Sequence, residues 1–133
     1  MKTRCYCTAL RQLTRRVTAI YDKALAPLGI GAAQFSMMRT LERAGSITAT
    51  ELGQLIDLDR STVSRNIRVL EREKVVRVER SDIDHRGMAI GLTSKGTRLL
   101  AEGACLWNQA QDNLRTRIGG ATADTLLKVL DVF

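Results

Sequence analysis

The stretch from Thr48 to Thr93 constrains the fold most, because its hydrophobic period changes part-way along. From Arg60 to Glu73 the apolar residues Val63, Ile67 and Leu70 recur at i, i+4 and i+7, the spacing of a helix with one stripe against a core. After Lys74 the period drops to two. Val76 and Val78 alternate with Arg77 and Glu79 in a strand over 75–80, and Met88, Ile90 and Leu92 repeat the alternation beyond a polar loop, 81–87. Upstream, Thr48 with Glu51 fits a capping box for a short helix from Ala49 to Ile56, and Asp57-Leu58-Asp59 is a turn whose last residue can cap the next helix. The order is therefore short helix, tight turn, second helix, β-hairpin: a winged helix-turn-helix.

The flanks read as helices. Leu10, Leu13, Val17, Ile20 and Ala24 predict a long first helix over Thr3 to Ala26, stopped by Pro27, the only proline. A second helix, Ala32 to Ala44, turns Phe35, Met38 and Leu41 inward, with Met37-Met38 as core and Gly45 as its C-terminal cap. Ser46-Ile47-Thr48 reads as a connector with a minimal strand. Thr93 or Ser94 caps a long helix to about Arg117, and Gly119-Gly120 separates it from a last helix, Ala121 to Val132. With 4% aromatic residues, the core must rest on Leu, Ile, Val, Ala and Met, which suits helices. The fold class is mainly α with a small β-hairpin, in a single domain over 1–133.

Charge alone would mislead about the partner. The formal charge is +7, but residues 1–44 carry +6, residues 45–93 carry eight basic and eight acidic side chains, and residues 94–133 carry +1. Placement matters more than the sum. From Arg60 to Arg68 there are three arginines and no acid, interleaved with Ser61, Thr62 and Ser64. Short hydroxyls and forked guanidiniums at a helix start suit the major groove of double-stranded DNA. A winged helix can also serve as a protein-interaction module, for which a mixed charged face would be expected.

Three cysteines, an odd number, and an N-terminus whose apolar run is interrupted at Arg11 argue for a reducing cytosol. No apolar run reaches membrane-spanning length. Cys5 and Cys7, two residues apart on one helix, would point about 200° apart and could not clamp a metal together. With His85 as the one histidine, no metal site and no cofactor is expected.

Several linked motifs give the chain a resemblance to the MarR family of bacterial transcription regulators. They are Glu51-Leu52, Asp59-Arg60-Ser61-Thr62-Val63-Ser64-Arg65, Leu70-Glu71, Val75-Val76-Arg77, Asp84-His85-Arg86 and Leu92-Thr93-Ser94-Lys95-Gly96. The resemblance implies a homodimer, with 1–31 and 94–133 as dimerisation helices and 32–93 as the winged lobe, acting as a repressor on a pseudo-palindromic operator. It places Arg60, Ser61, Thr62, Ser64, Arg65 and Arg68 on the recognition helix. His85 and Arg86 fall at the wing tip, and Asp84 takes the role of anchoring the wing. One departure is Lys74, where the family usually has glycine. A side chain in a left-handed cap there costs on the order of 1 kcal/mol.

Cys7 lies where the organic-peroxide-sensing branch of that family carries its reactive cysteine, and Tyr21 matches a tyrosine that touches it. Fourteen residues along one helix is about 21 Å, so such contact would come from the partner chain. Cys105 is a candidate resolving thiol, again across the dimer. Arg11 stands where that branch has a second tyrosine. A free cysteine such as Cys7 is otherwise a small buried hydrophobe. The alternative trigger is a small aromatic effector between the first, second and fifth helices, near Trp107 and Met37. A thiol peroxidase using Cys7 is the competing enzymatic reading, and it lacks a base beside the thiol.

Overall fold

A computed structural model describes residues 3–80 and 88–133. Helix α1 (Tyr6–Leu25) leads through a 3-10 turn at Ala26–Leu28 into α2 (Ala32–Ala44), strand β1 (Ile47–Thr48), α3 (Ala49–Ile56) and α4 (Arg60–Arg72). Strands β2 (Val76–Arg80) and β3 (Met88–Leu92) follow, then α5 (Ser94–Ile118) and α6 (Gly120–Leu130). The sheet is antiparallel in the order β1-β3-β2, with Val76 opposite Leu92 and Ile47 opposite Ile90. The minimal connector strand thus becomes the third strand of the wing sheet.

Each cap is a local solution for helix-end amides. Thr48 Oγ1 accepts from the Glu51 N–H at 3.1 Å, and Thr93 Oγ1 from the Gly96 N–H at 3.1 Å. At the start of α2 the Ala32 N–H is taken by Asp22 of α1 at 2.7 Å, which ties the first two helices together. At the end of α4 the Val75 N–H reaches the Leu70 carbonyl and the Lys74 N–H that of Glu71, both at 2.9 Å. That is the Schellman arrangement, with Leu70 and Val75 both buried beneath it. Lys74 sits in its left-handed position at φ 60°, and Asp57, in the turn before α4, at φ 55°.

The core joins Phe35, Met37, Met38 and Leu41 of α2 to Leu52 of α3, the Val63, Ile67 and Leu70 stripe of α4, and Val76 and Ile90 of the sheet. Two glycines let α5 approach this core. A Cβ at Gly96 would lie 2.3 Å from the Val75 carbonyl oxygen, and one at Gly103 would lie 2.5 Å from Cε2 of Phe35.

The first and last helices depart from a one-chain core. Of α1 only Leu25 is buried, and α6 buries nothing. Leu10 and Leu13, periodic with the expected inward stripe, are exposed, as are Tyr6, Leu126, Leu127 and Leu130. The apolar periodicity holds, but these side chains find no cover among the described residues. α1 and α5 run antiparallel, Tyr21 lying against Trp107 and Leu28 against Gly103. The exposed first half of α1 therefore lies at the α6 end of α5, away from the winged lobe.

Candidate nucleic-acid interface

The α4 helix separates its two jobs by face. Val63, Ile67 and Leu70 are buried, while Arg60, Ser61, Arg65 and Arg68 are exposed and Thr62 and Ser64 half-buried. The helix start is organised by Asp59. Its Oδ2 accepts from the Ser61 hydroxyl at 2.5 Å and the Thr62 N–H at 3.1 Å, and its Oδ1 accepts from the Thr62 hydroxyl at 2.6 Å. Arg65 Nη2 in turn donates to Thr62 Oγ1 at 3.3 Å. The Ser61 hydroxyl first, then the Thr62 hydroxyl and N–H, hold the Asp59 carboxyl well below the usual carboxylate range. Asp59 is the cap that its place in the turn predicts, and it also gathers two of the candidate contact hydroxyls, which capping alone does not predict. The Asp-x-Ser-Thr run was the available signal. Asp84, His85 and Arg86 lie outside the described residues, so the wing tip remains an expectation.

The candidate switch residues are not brought together in one chain. Cys7 is exposed on α1 rather than buried, and Cys105 is exposed on α5. Because α1 and α5 are antiparallel, Cys105 lies level with the end of α1, about 27 Å along the helix from Cys7. Tyr21 is half-buried. Its ring lies 6.5 Å from that of Trp107, and its hydroxyl donates to Gln111 Oε1. Burial pushes the Tyr21 phenol up, against the opposing charge of Arg39, so it stays a donor. The Arg39 guanidinium stacks 3.8 Å over Trp107. Cavities of about 190 and 330 Å³ flank this stack, the smaller lined by Tyr21, Arg39 and Arg43, the larger by Phe35, Leu100 and Ala104. Met37, expected near an effector, is buried in the core and lines neither. Neither Arg39 nor Gln111 carried a sequence signal for this site.

The first helix begins at Tyr6, not Thr3, so Cys5 is its N-cap residue with extended backbone. The 200° separation expected of two helical cysteines therefore does not apply to Cys5 and Cys7. The donors at the helix start, first the Thr8 N–H, then the Thr8 side chain and the Cys7 N–H, lower the Cys5 thiol from its usual 9.0, although no side-chain cap hydrogen bond is formed. Among the described residues no group of three or more potential ligands could hold a metal, and no helix is long and apolar enough to cross a membrane.

A family model described as the MarR family matches residues 28–87. The M. tuberculosis transcriptional regulator MosR in complex with DNA superposes with a TM-score of 0.84 at 30% identity, over 95% of this chain and 93% of that one. The chain belongs to the MarR family. This MarR-family regulator is also similar to the transcriptional repressor CouR bound to a 23-mer DNA duplex, with a TM-score of 0.84 at 26% identity over 96% of this chain and 91% of CouR. The organic hydroperoxide resistance transcriptional regulator of Bacillus subtilis is 27% identical over 93 residues. That match covers 70% of this chain and spans 63% of the relative's length.

Proposed function

We propose that this MarR-family regulator is a homodimeric, sequence-specific reader of double-stranded DNA that represses from a pseudo-palindromic operator in the cytosol. The observation that carries this reading is the outer face of α4, where Arg60, Arg65 and Arg68 stand exposed around a hydroxyl-rich helix start whose opposite face is locked in the core. Two such helices about 34 Å apart reach successive major grooves, which one alone cannot. The uncovered apolar residues of α1 and α6 supply a surface for a second copy, and the Arg86 wing would reach the minor groove. The test is a mobility shift on the upstream region of its own operon. Arg65→Ala should weaken binding by about 1–3 kcal/mol, and a wild-type protein that shifts this duplex no better than an unrelated one would overturn the reading.

Release from DNA follows oxidation of Cys7 by an organic peroxide, with Tyr21 and Cys105 supplied across the dimer. The exposed position of Cys7 at the apolar end of α1 supports it, as does the kinship with a hydroperoxide regulator. Peroxide should release wild-type protein and leave Cys7→Ser bound; release of both would defeat the role of Cys7. A second trigger, a small aromatic effector, is favoured by the cavities beside Trp107 and Arg39. Operator release by an aromatic carboxylate, abolished in Arg39→Ala, would select it. The chain is not an enzyme on this reading, and multi-turnover peroxide consumption would contradict that.

A further inference from the structure

Asp59 does more than end a turn. An ionised carboxylate can only accept hydrogen bonds, so the directions of its contacts are fixed by chemistry: Ser61 and Thr62 must be the donors. Each hydroxyl has one proton, and both protons are given to Asp59. Both bonds end on an ionised acceptor and are therefore of the charge-assisted kind. Thr62 Oγ1 also receives Arg65 Nη2, so one of its lone pairs is filled as well. Ser61 is exposed and has no such second partner among the described residues. What it offers the solvent side is acceptor capacity only.

Resting on the reading of α4 as the DNA-contacting helix, we propose that Ser61, polarised by Asp59, selects an exocyclic amino group in the major groove, adenine N6 or cytosine N4. Phosphate oxygens, guanine N7 and O6, and thymine O4 are all acceptors, and an acceptor-only hydroxyl has nothing to give them. Arg65, one turn further on the same face, keeps most of its five N–H donors free for the complementary task of guanine N7 and O6. The helix start thus presents one acceptor beside one donor fork. Asp59 acts as a positioning residue: it sets the polarity of Ser61 without itself reading a base.

The test uses the full chain and a duplex selected by wild-type protein from a randomised library. Single amino groups are then deleted by replacing one adenine with purine or one cytosine with 2-pyrimidinone, and each duplex is titrated with wild type, Ser61→Ala and Asp59→Gly. One deletion per half-site should weaken wild-type binding about fivefold and leave Ser61→Ala unaffected, a coupling that reports this contact alone. Asp59→Gly is tolerated at a helix N-cap, its fold checked by its thermal melt, but it leaves no side-chain acceptor for the Ser61 proton, and the coupling should fall. Coupling of Ser61 to a methylphosphonate or to 7-deazaguanine, or to no amino deletion, would overturn the proposal. Unchanged coupling in Asp59→Gly would overturn the role of Asp59. A wild-type protein that enriches no sequence would instead remove the DNA-binding reading beneath it.

Discussion

The Thr93 hydroxyl donates to the Lys74 carbonyl at 2.7 Å, joining the first residue before α5 to the loop that closes α4. The same oxygen lies 3.1 Å from the Val75 carbonyl, while the Thr93 N–H donates to that carbonyl at 3.0 Å. Lys95 Nζ adds a bond to the Glu73 carbonyl at 2.8 Å, and Gly96 lies against Val75 with no room for a Cβ. One threonine therefore caps a helix of one lobe and holds the end of a helix of the other. The orientation of α4 is referred directly to α5.

Thr93→Val keeps the shape and removes both the cap and the latch. We expect a loss of about 1–2 kcal/mol in urea unfolding, with Thr93→Ser restoring most of it. Operator affinity should fall further than for an equally destabilising change in α6. Equal losses would show that the latch stabilises the lobe without orienting α4.

Lys74→Gly should raise stability by about 1 kcal/mol, because φ 60° is costly for a side chain and free for glycine. Urea unfolding should shift its midpoint upward at unchanged slope. A neutral or destabilising result would mean that the lysine side chain offsets its backbone cost elsewhere.

Asp59 gives an acid-sensitive contribution. Its folded value is depressed below 3.8, so the stability it adds is present above that pH and is lost as pH falls toward the lowered value. The stability gap between wild type and Asp59→Ala should be constant from pH 5 to 8 and shrink below about 4, followed by thermal melts. A gap that grows in acid would contradict the sign.

The Cys5 thiol should titrate below its ordinary 9.0. Iodoacetamide alkylation in a chain carrying Cys7→Ser and Cys105→Ser should therefore show its rate inflection below that pH. Thr8→Pro, which removes both the Thr8 N–H and its hydroxyl, should move the inflection upward. No movement would place the cause elsewhere.

The sequence exposed the elements whose pattern is local. The stripe of Val63, Ile67 and Leu70, the caps Thr48, Asp59 and Thr93, and the alternation of Val76 with Val78 all follow from neighbours a few residues away, and each stands as expected. The bounds of α2 and α3 stand as expected, while other helix ends differ by one to three residues, as at Tyr6, where three N-terminal residues expected in the helix lie outside it. Long-range partners were not legible. Nothing in the spacing of Tyr21, Arg39, Trp107 and Gln111 tells that antiparallel packing of α1 and α5 will gather them. Leu10 and Leu13 show the opposite limit: periodicity says that a face is apolar, not which chain covers it.

Trp107 is the chain's single tryptophan, and it stands between the two cavities with a guanidinium on its face. All tryptophan emission of this chain therefore originates at the junction of α1, α2 and α5. An occupant of either cavity, or a displacement of Arg39, would alter the intensity and colour of that light without any label being attached. The protein carries its own optical gauge at the place where its arms meet.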